Sequence, residues 1–102
     1  MHQYSNIHLD EMIKHLEDKL CYLLRLDISL FYILKKEVSK AVLLVYDIMI
    51  YIPLNEHLII PIYNIYNKPA QLNSLHKITI AYFYILDALM DLYDALIRMR
   101  WP

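Results

Sequence analysis

The chain has 102 residues, 59% of them hydrophobic and 21% charged, and its 10 basic and 11 acidic side chains leave a formal net charge of −1. That length suits one domain, the apolar share excludes a disordered chain, and the charge balance argues against the basic surface that nucleic-acid binding uses. Glycine is absent altogether, which excludes the phosphate-cradling loops and dinucleotide fingerprints that need it.

Other global features narrow the reading further. Type I′ hairpins lose their best turn residue without glycine, and helices must stop on Pro, Asn or Asp signals. The apolar excess has to enter a core, a self-association face or a membrane, and self-association suits so short a chain. Histidines at 2, 8, 15, 57 and 76 make the net charge sensitive to mild acid. Cys21 is the only cysteine, so no intrachain disulfide forms. Its setting, Leu20-Cys21-Tyr22-Leu23, reads as a buried, inert thiol. The opening Met1-His2-Gln3-Tyr4-Ser5 lacks the basic-then-apolar build of a signal peptide, so an intracellular protein is expected.

Taken in chain order, the first predicted helix covers about Leu9 to Leu24. Leu9, Met12, Ile13, Leu16, Leu20, Leu23 and Leu24 recur at steps of three and four, an amphipathic stripe. Asp10 and Glu11 would lie in its first turn, where the helix dipole favours negative charge. Asp27 is then a candidate N-cap for a second helix over about Ile28 to Ile52. That helix is apolar around most of its girth, with Ser29, Lys36, Lys40 and Asp47 as a narrow polar stripe. Between Lys40 and Glu56 only 15 residues intervene, Asp47 among them, and a membrane span needs roughly 20 apolar residues. No span is expected.

Residues 53–69 are the least regular, with Pro53, Pro61 and Pro69 eight residues apart. Pro61 suits the first turn of a short helix over about Ile62 to Tyr66. Leu58-Ile59-Ile60 is compatible with helix or with a short extended piece near 57–61, since the residue before a proline avoids the helical region. The last predicted helix, about Leu72 to Arg100, carries Leu75, Ile78, Tyr82, Ile85, Leu89, Leu92, Leu96 and Met99 as a heptad seam. Beside it Ser74, Ala81, Ala88 and Ala95 are small at every seventh residue, which lets a neighbouring helix approach closely. Asp94 can pair with Arg98 one turn on.

The two long helices share text. Ala41-Val42-Leu43-Leu44-Val45-Tyr46-Asp47 aligns with Ala88-Leu89-Met90-Asp91-Leu92-Tyr93-Asp94 at an offset of 47. The expected fold is therefore all-α, in two pseudo-symmetric units of a shorter helix plus a long one, about 1–53 and 54–102. A groove between those units is a natural binding site.

Several constellations bear on chemistry. His8, Glu11, His15 and Asp18 share one helix face, a metal-compatible set, but that face lies opposite the apolar stripe and reads as solvated. Asp87, Asp91 and Asp94 cluster carboxylates with no histidine or nucleophile at helical spacing. The serines and the thiol carry no nucleophile motif with an assigned base. No enzyme, cofactor or metal is expected. Tyrosine, present 10 times, is enriched at protein interfaces. Tyr63 and Tyr66, with Ile62 and Asn64 in the irregular stretch, are the candidate partner-binding residues. Tyr46 and Tyr93 read as structural.

The run Leu58-Ile59-Ile60-Pro61-Ile62-Tyr63-Asn64-Ile65-Tyr66 and the Ile-, Leu- and Tyr-rich text around it resemble the small proteins of filamentous viruses that infect hyperthermophilic archaea. That resemblance implies a viral protein in a hot, mildly acidic archaeal host cytoplasm, or associated with the virion, with no family catalytic residues to carry over. The expected role is a protein-protein interaction module that binds a viral or host peptide or protein segment between its halves. A structural homo-oligomer joined through Ala81, Ala88 and Ala95 is the alternative, and a nucleic-acid role resting on Lys35, Lys36 and Lys40 the second alternative.

Overall fold

Ser5 opens the first helix, α1 (Asn6–Leu24), by accepting a hydrogen bond from the His8 amide on its side chain, one of the orphan donors of a helix start. The computed structural model describes residues 5–102; the stretch Met1-His2-Gln3-Tyr4-Ser5, read as lacking a signal-peptide build, falls, except for Ser5, outside the described residues. Because α1 begins three residues before the apolar stripe, Asp10 and Glu11 sit beyond its first turn, which holds no acid. Leu9, Ile13, Leu16 and Leu23 are buried, as their spacing predicts.

Asp27 does not cap the second helix. Its carboxylate accepts from both the amide (3.0 Å) and the hydroxyl (2.6 Å) of Ser29, folding an Asx turn. Those bonds, the hydroxyl's first, hold the Asp27 carboxyl below its ordinary pKa. α2 (Phe31–Met49) therefore starts later than expected, from Leu30, without a side-chain cap. It also stops before Pro53, and the buried side chains of Ile52 and Leu54 pin the following loop to the core.

The irregular stretch is helical. α3 (Glu56–Asn67) contains Pro61 at its sixth position rather than its first. Proline has no amide to bond the His57 carbonyl four residues back, and His57 is exposed, so water can take that carbonyl. Leu58-Ile59-Ile60 is thus helix, not an extended piece. A 3-10 turn (Pro69–Gln71) leads to α4 (Leu75–Arg100), where Ser74 serves as N-cap by accepting from the Lys77 amide. Among the described residues no backbone φ is positive, so no helix ends in a left-handed cap. The absence of glycine predicts that outcome.

The described residues hold four α-helices and no strand. α4 is the hub, packing against α1, α2 and α3, while α2 also meets α3. Three bonds tie α1 to α4: the Tyr82 hydroxyl to the Leu23 carbonyl (2.6 Å), the Tyr93 hydroxyl to Glu17 Oε1 (2.8 Å) and Arg100 Nε to Asp10 Oδ1 (2.8 Å). Later residues of α4 meet earlier residues of α1, so the pair is antiparallel. α3 starts where the Asn55 amide donates to Asp91 Oδ2 (2.7 Å) and runs back toward the start of α4.

Ile78, Tyr82, Ile85, Leu89, Leu92 and Leu96 of the heptad seam are buried, whereas its ends, Leu75 and Met99, are exposed. Ala81 and Ala88 belong to the same buried cluster, which draws on all four helices. α1 and α2 each have 19 residues, so the first half is not a shorter helix followed by a longer one. Extents of 41 × 26 × 16 Å leave room for two helix layers along the thin axis, given axes 8–10 Å apart. Every helix keeps an outward face, and large apolar side chains are left on several of them.

Candidate functional site

The helical phase of α3 divides the predicted partner-binding residues. Leu58, Ile62 and Ile65 face the core, and Ile62 is 0% exposed. Ile62 is a core residue, not a contact residue, because the helix period places it on the buried face. Tyr63 is 54% exposed on the opposite face. Tyr66 lies between, its ring stacked on that of Tyr46 at 4.0 Å and 19°, which fastens α3 to α2. Burial raises the Tyr46 hydroxyl above the ordinary tyrosine range, and a hydrogen bond with Asn67 opposes the shift. Tyr46 and Tyr66 are thus a structural pair, as read for Tyr46.

Asn64 turns elsewhere. It lines a groove of about 270 Å³ between α3 and the first half of α4. Ile65, Leu72 and Ala81 form the buried floor, and Ile60, Ile80 and Tyr84 form the partly exposed walls. Pro61 and Lys77 complete the lining. Lys77, Ile80, Ala81 and Tyr84 fall at i, i+3, i+4 and i+7, one face of α4, and the small side chain of Ala81 opens the space between the walls. The groove lies within the second half of the chain rather than between the halves. Ile60, Lys77, Ile80 and Tyr84 were not singled out from sequence. The available signal was the outward row Ile60-Tyr63 beside Pro61, legible only once the helix was known.

A larger hollow, about 750 Å³, runs along the outer face of α1 past Asp10, Lys14, Asp18 and Tyr22. Its described lining comes from one helix, with no opposing apolar wall among the described residues. Two of its carboxylates are engaged already, Asp18 by Lys14 at 2.8 Å and Asp10 by Arg100. The Asp18 bond raises the Lys14 pKa. The groove beside α3 is the better-built site, with two walls and an apolar floor.

The remaining candidates separate. His8, Glu11, His15 and Asp18 are exposed, and no group of described residues could hold a metal ion. Asp91 receives the Asn55 amide, while Asp87 and Asp94 face solvent. Arg100, not Arg98, supplies the ion pair of the last turn. Cys21 is exposed, contrary to the buried thiol expected of it, because it falls on the solvent side between Leu20 and Leu23. Glu37, the one buried charged side chain among the described residues, has Lys40 Nζ at 3.9 Å. No described helix is long and apolar enough to cross a membrane. No protein-family model, curated protein or solved structure matches the chain.

Proposed function

We propose that the chain is a non-enzymatic protein-interaction module that takes a peptide or protein segment into the groove between α3 and α4. The observation that carries this reading is a two-walled apolar groove whose walls, Ile60 at 70% and Ile80 at 45% exposure, remain open to solvent. Side chains so placed gain from burial by about 25 cal/mol per Å² of apolar surface, and apolar anchors in such grooves typify segment recognition. On the resemblance to viral proteins, the segment belongs to a viral or host protein met in the infected cell or in the virion.

The paired-halves architecture is part of the proposal. From 41 to 47 and from 88 to 94, equivalent positions share the same order of buried, half-buried and exposed residues. The two tyrosines of that block also reach across reciprocally, Tyr46 to Tyr66 on α3 and Tyr93 to Glu17 on α1. Both observations support a diverged duplication.

A random twelve-residue peptide library displayed on phage tests the docking reading. Peptides enriched on the wild type should lose binding to the double variant Ile60→Glu/Ile80→Glu, whose sites are exposed enough to spare the fold. Enriched peptides that ignore this variant, or that depend on Tyr63 instead, would contradict the assignment.

A further inference from the structure

The groove is apolar along its length and charged at one place. Among the described residues, Lys77 is its only ionic lining residue. Its ammonium is exposed and takes part in none of the ion pairs of the described residues, which are Lys14–Asp18, Lys40–Glu37 and Arg100–Asp10. No carboxylate among the described residues lines the groove to offset it. The surroundings add to the imbalance, since the first turn of α4 holds no acid although the positive end of a helix dipole favours one there. Asn64 contributes an amide that can donate to or accept from an occupant.

From this complementarity we infer that the occupant is a short acidic amphipathic segment of a partner protein: an apolar anchor seated between Ile60, Ile80 and Tyr84, and an Asp or Glu carboxylate set against Lys77. The inference rests on the docking reading above and names the chemistry of the partner. The wall from Lys77 to Tyr84 spans seven residue steps of α4, about 10 Å at 1.5 Å per residue. That length matches two turns of a bound helix, with anchor and acid one turn apart. A basic segment would meet Lys77 as a like charge, and a neutral one would leave it unpaired.

The displayed-peptide selection decides this by composition and by charge reversal. Peptides that depend on Ile60 and Ile80 should be enriched in Asp or Glu three or four positions from a large apolar residue. Synthetic copies should bind Lys77→Glu roughly fivefold more weakly than wild type at low salt, the effect of reversing one partly exposed charge pair, and the difference should shrink at high salt. Exchanging the peptide acid for Lys should restore binding to Lys77→Glu. A pool that needs Ile60 and Ile80 but shows no acidic bias, and binds Lys77→Glu equally well, overturns the acidic partner while leaving the docking groove standing. A pool indifferent to Ile60 and Ile80 overturns both.

Discussion

Tyr82 and Tyr93 show how single side chains hold α1 to α4. The Tyr82 hydroxyl is buried against the Leu23 carbonyl, which also accepts from the Leu26 amide, so Tyr82→Phe removes one buried bond without leaving that carbonyl unpaired. The expected cost is about 0.5–1.5 kcal/mol, read as a lower urea midpoint; Tyr93→Phe, whose Glu17 partner stays hydrated, should cost less. Both hydroxyls ionise above the ordinary tyrosine range, Tyr82 because of burial and Tyr93 because it donates to Glu17. Tyr46 shifts the same way. A folded-state pKa raised above the unfolded value near 10 means that the native chain keeps protons the unfolded chain has released. The stability from these groups is therefore complete below the unfolded value and lost as pH rises through the folded ones. Urea unfolding between neutral and strongly alkaline pH should show that decline, and Tyr82→Phe should flatten part of it; a pH-independent midpoint across the range would contradict it. At this scale the sequence was legible for Tyr46 and Tyr93 as structural residues. Ile62 was misassigned because an undecided backbone leaves the facing residues undecided: the extended period of two and the helical period of 3.6 put different neighbours of Pro61 outside.

Among the helices, α4 was the most legible. Its heptad seam runs without a miss from Leu75 to Met99, although the helix starts at Leu75, after the Ser74 cap, and not at the expected Leu72. Ser74→Ala removes the bond to the Lys77 amide and should cost about 1 kcal/mol, with the loss of helicity confined to the first turn of α4 in amide exchange. α3 was the least legible, because Pro61 reads as a helix start when it lies inside one. Restoring the missing donor with Pro61→Ala should raise the unfolding midpoint, since an interior proline can cost about 3 kcal/mol and the greater freedom of the unfolded chain returns less than that. A lower midpoint would mean that the Pro61 ring is needed to seat Ile62 and Ile65 in the core.

For the whole molecule, periodicity identified the all-helical class and most of the core, but not which helix is the hub. Helix adjacency depends on how faces match, and two similar apolar helices match in several ways. The small-residue stripe illustrates the ambiguity. Read along one helix it suits contact between copies, yet Ala88 is 0% exposed within a single chain. Ala88→Leu should then destabilise the fold by about 1–3 kcal/mol through overpacking and leave the mass measured by light scattering unchanged. A change in association state without loss of stability would return the stripe to an interface role.

The central claim is that partners enter between α3 and α4. A ¹H–¹⁵N correlation spectrum of the wild type, titrated with the tightest peptide from the displayed library, tests it most directly. Binding in the groove predicts that the largest shifts fall on Ile60, Asn64, Lys77, Ile80 and Tyr84. Shifts centred on Tyr63 and the outer side of α3, or on α1 between Asp10 and Asp18, with those five residues unmoved, would contradict it.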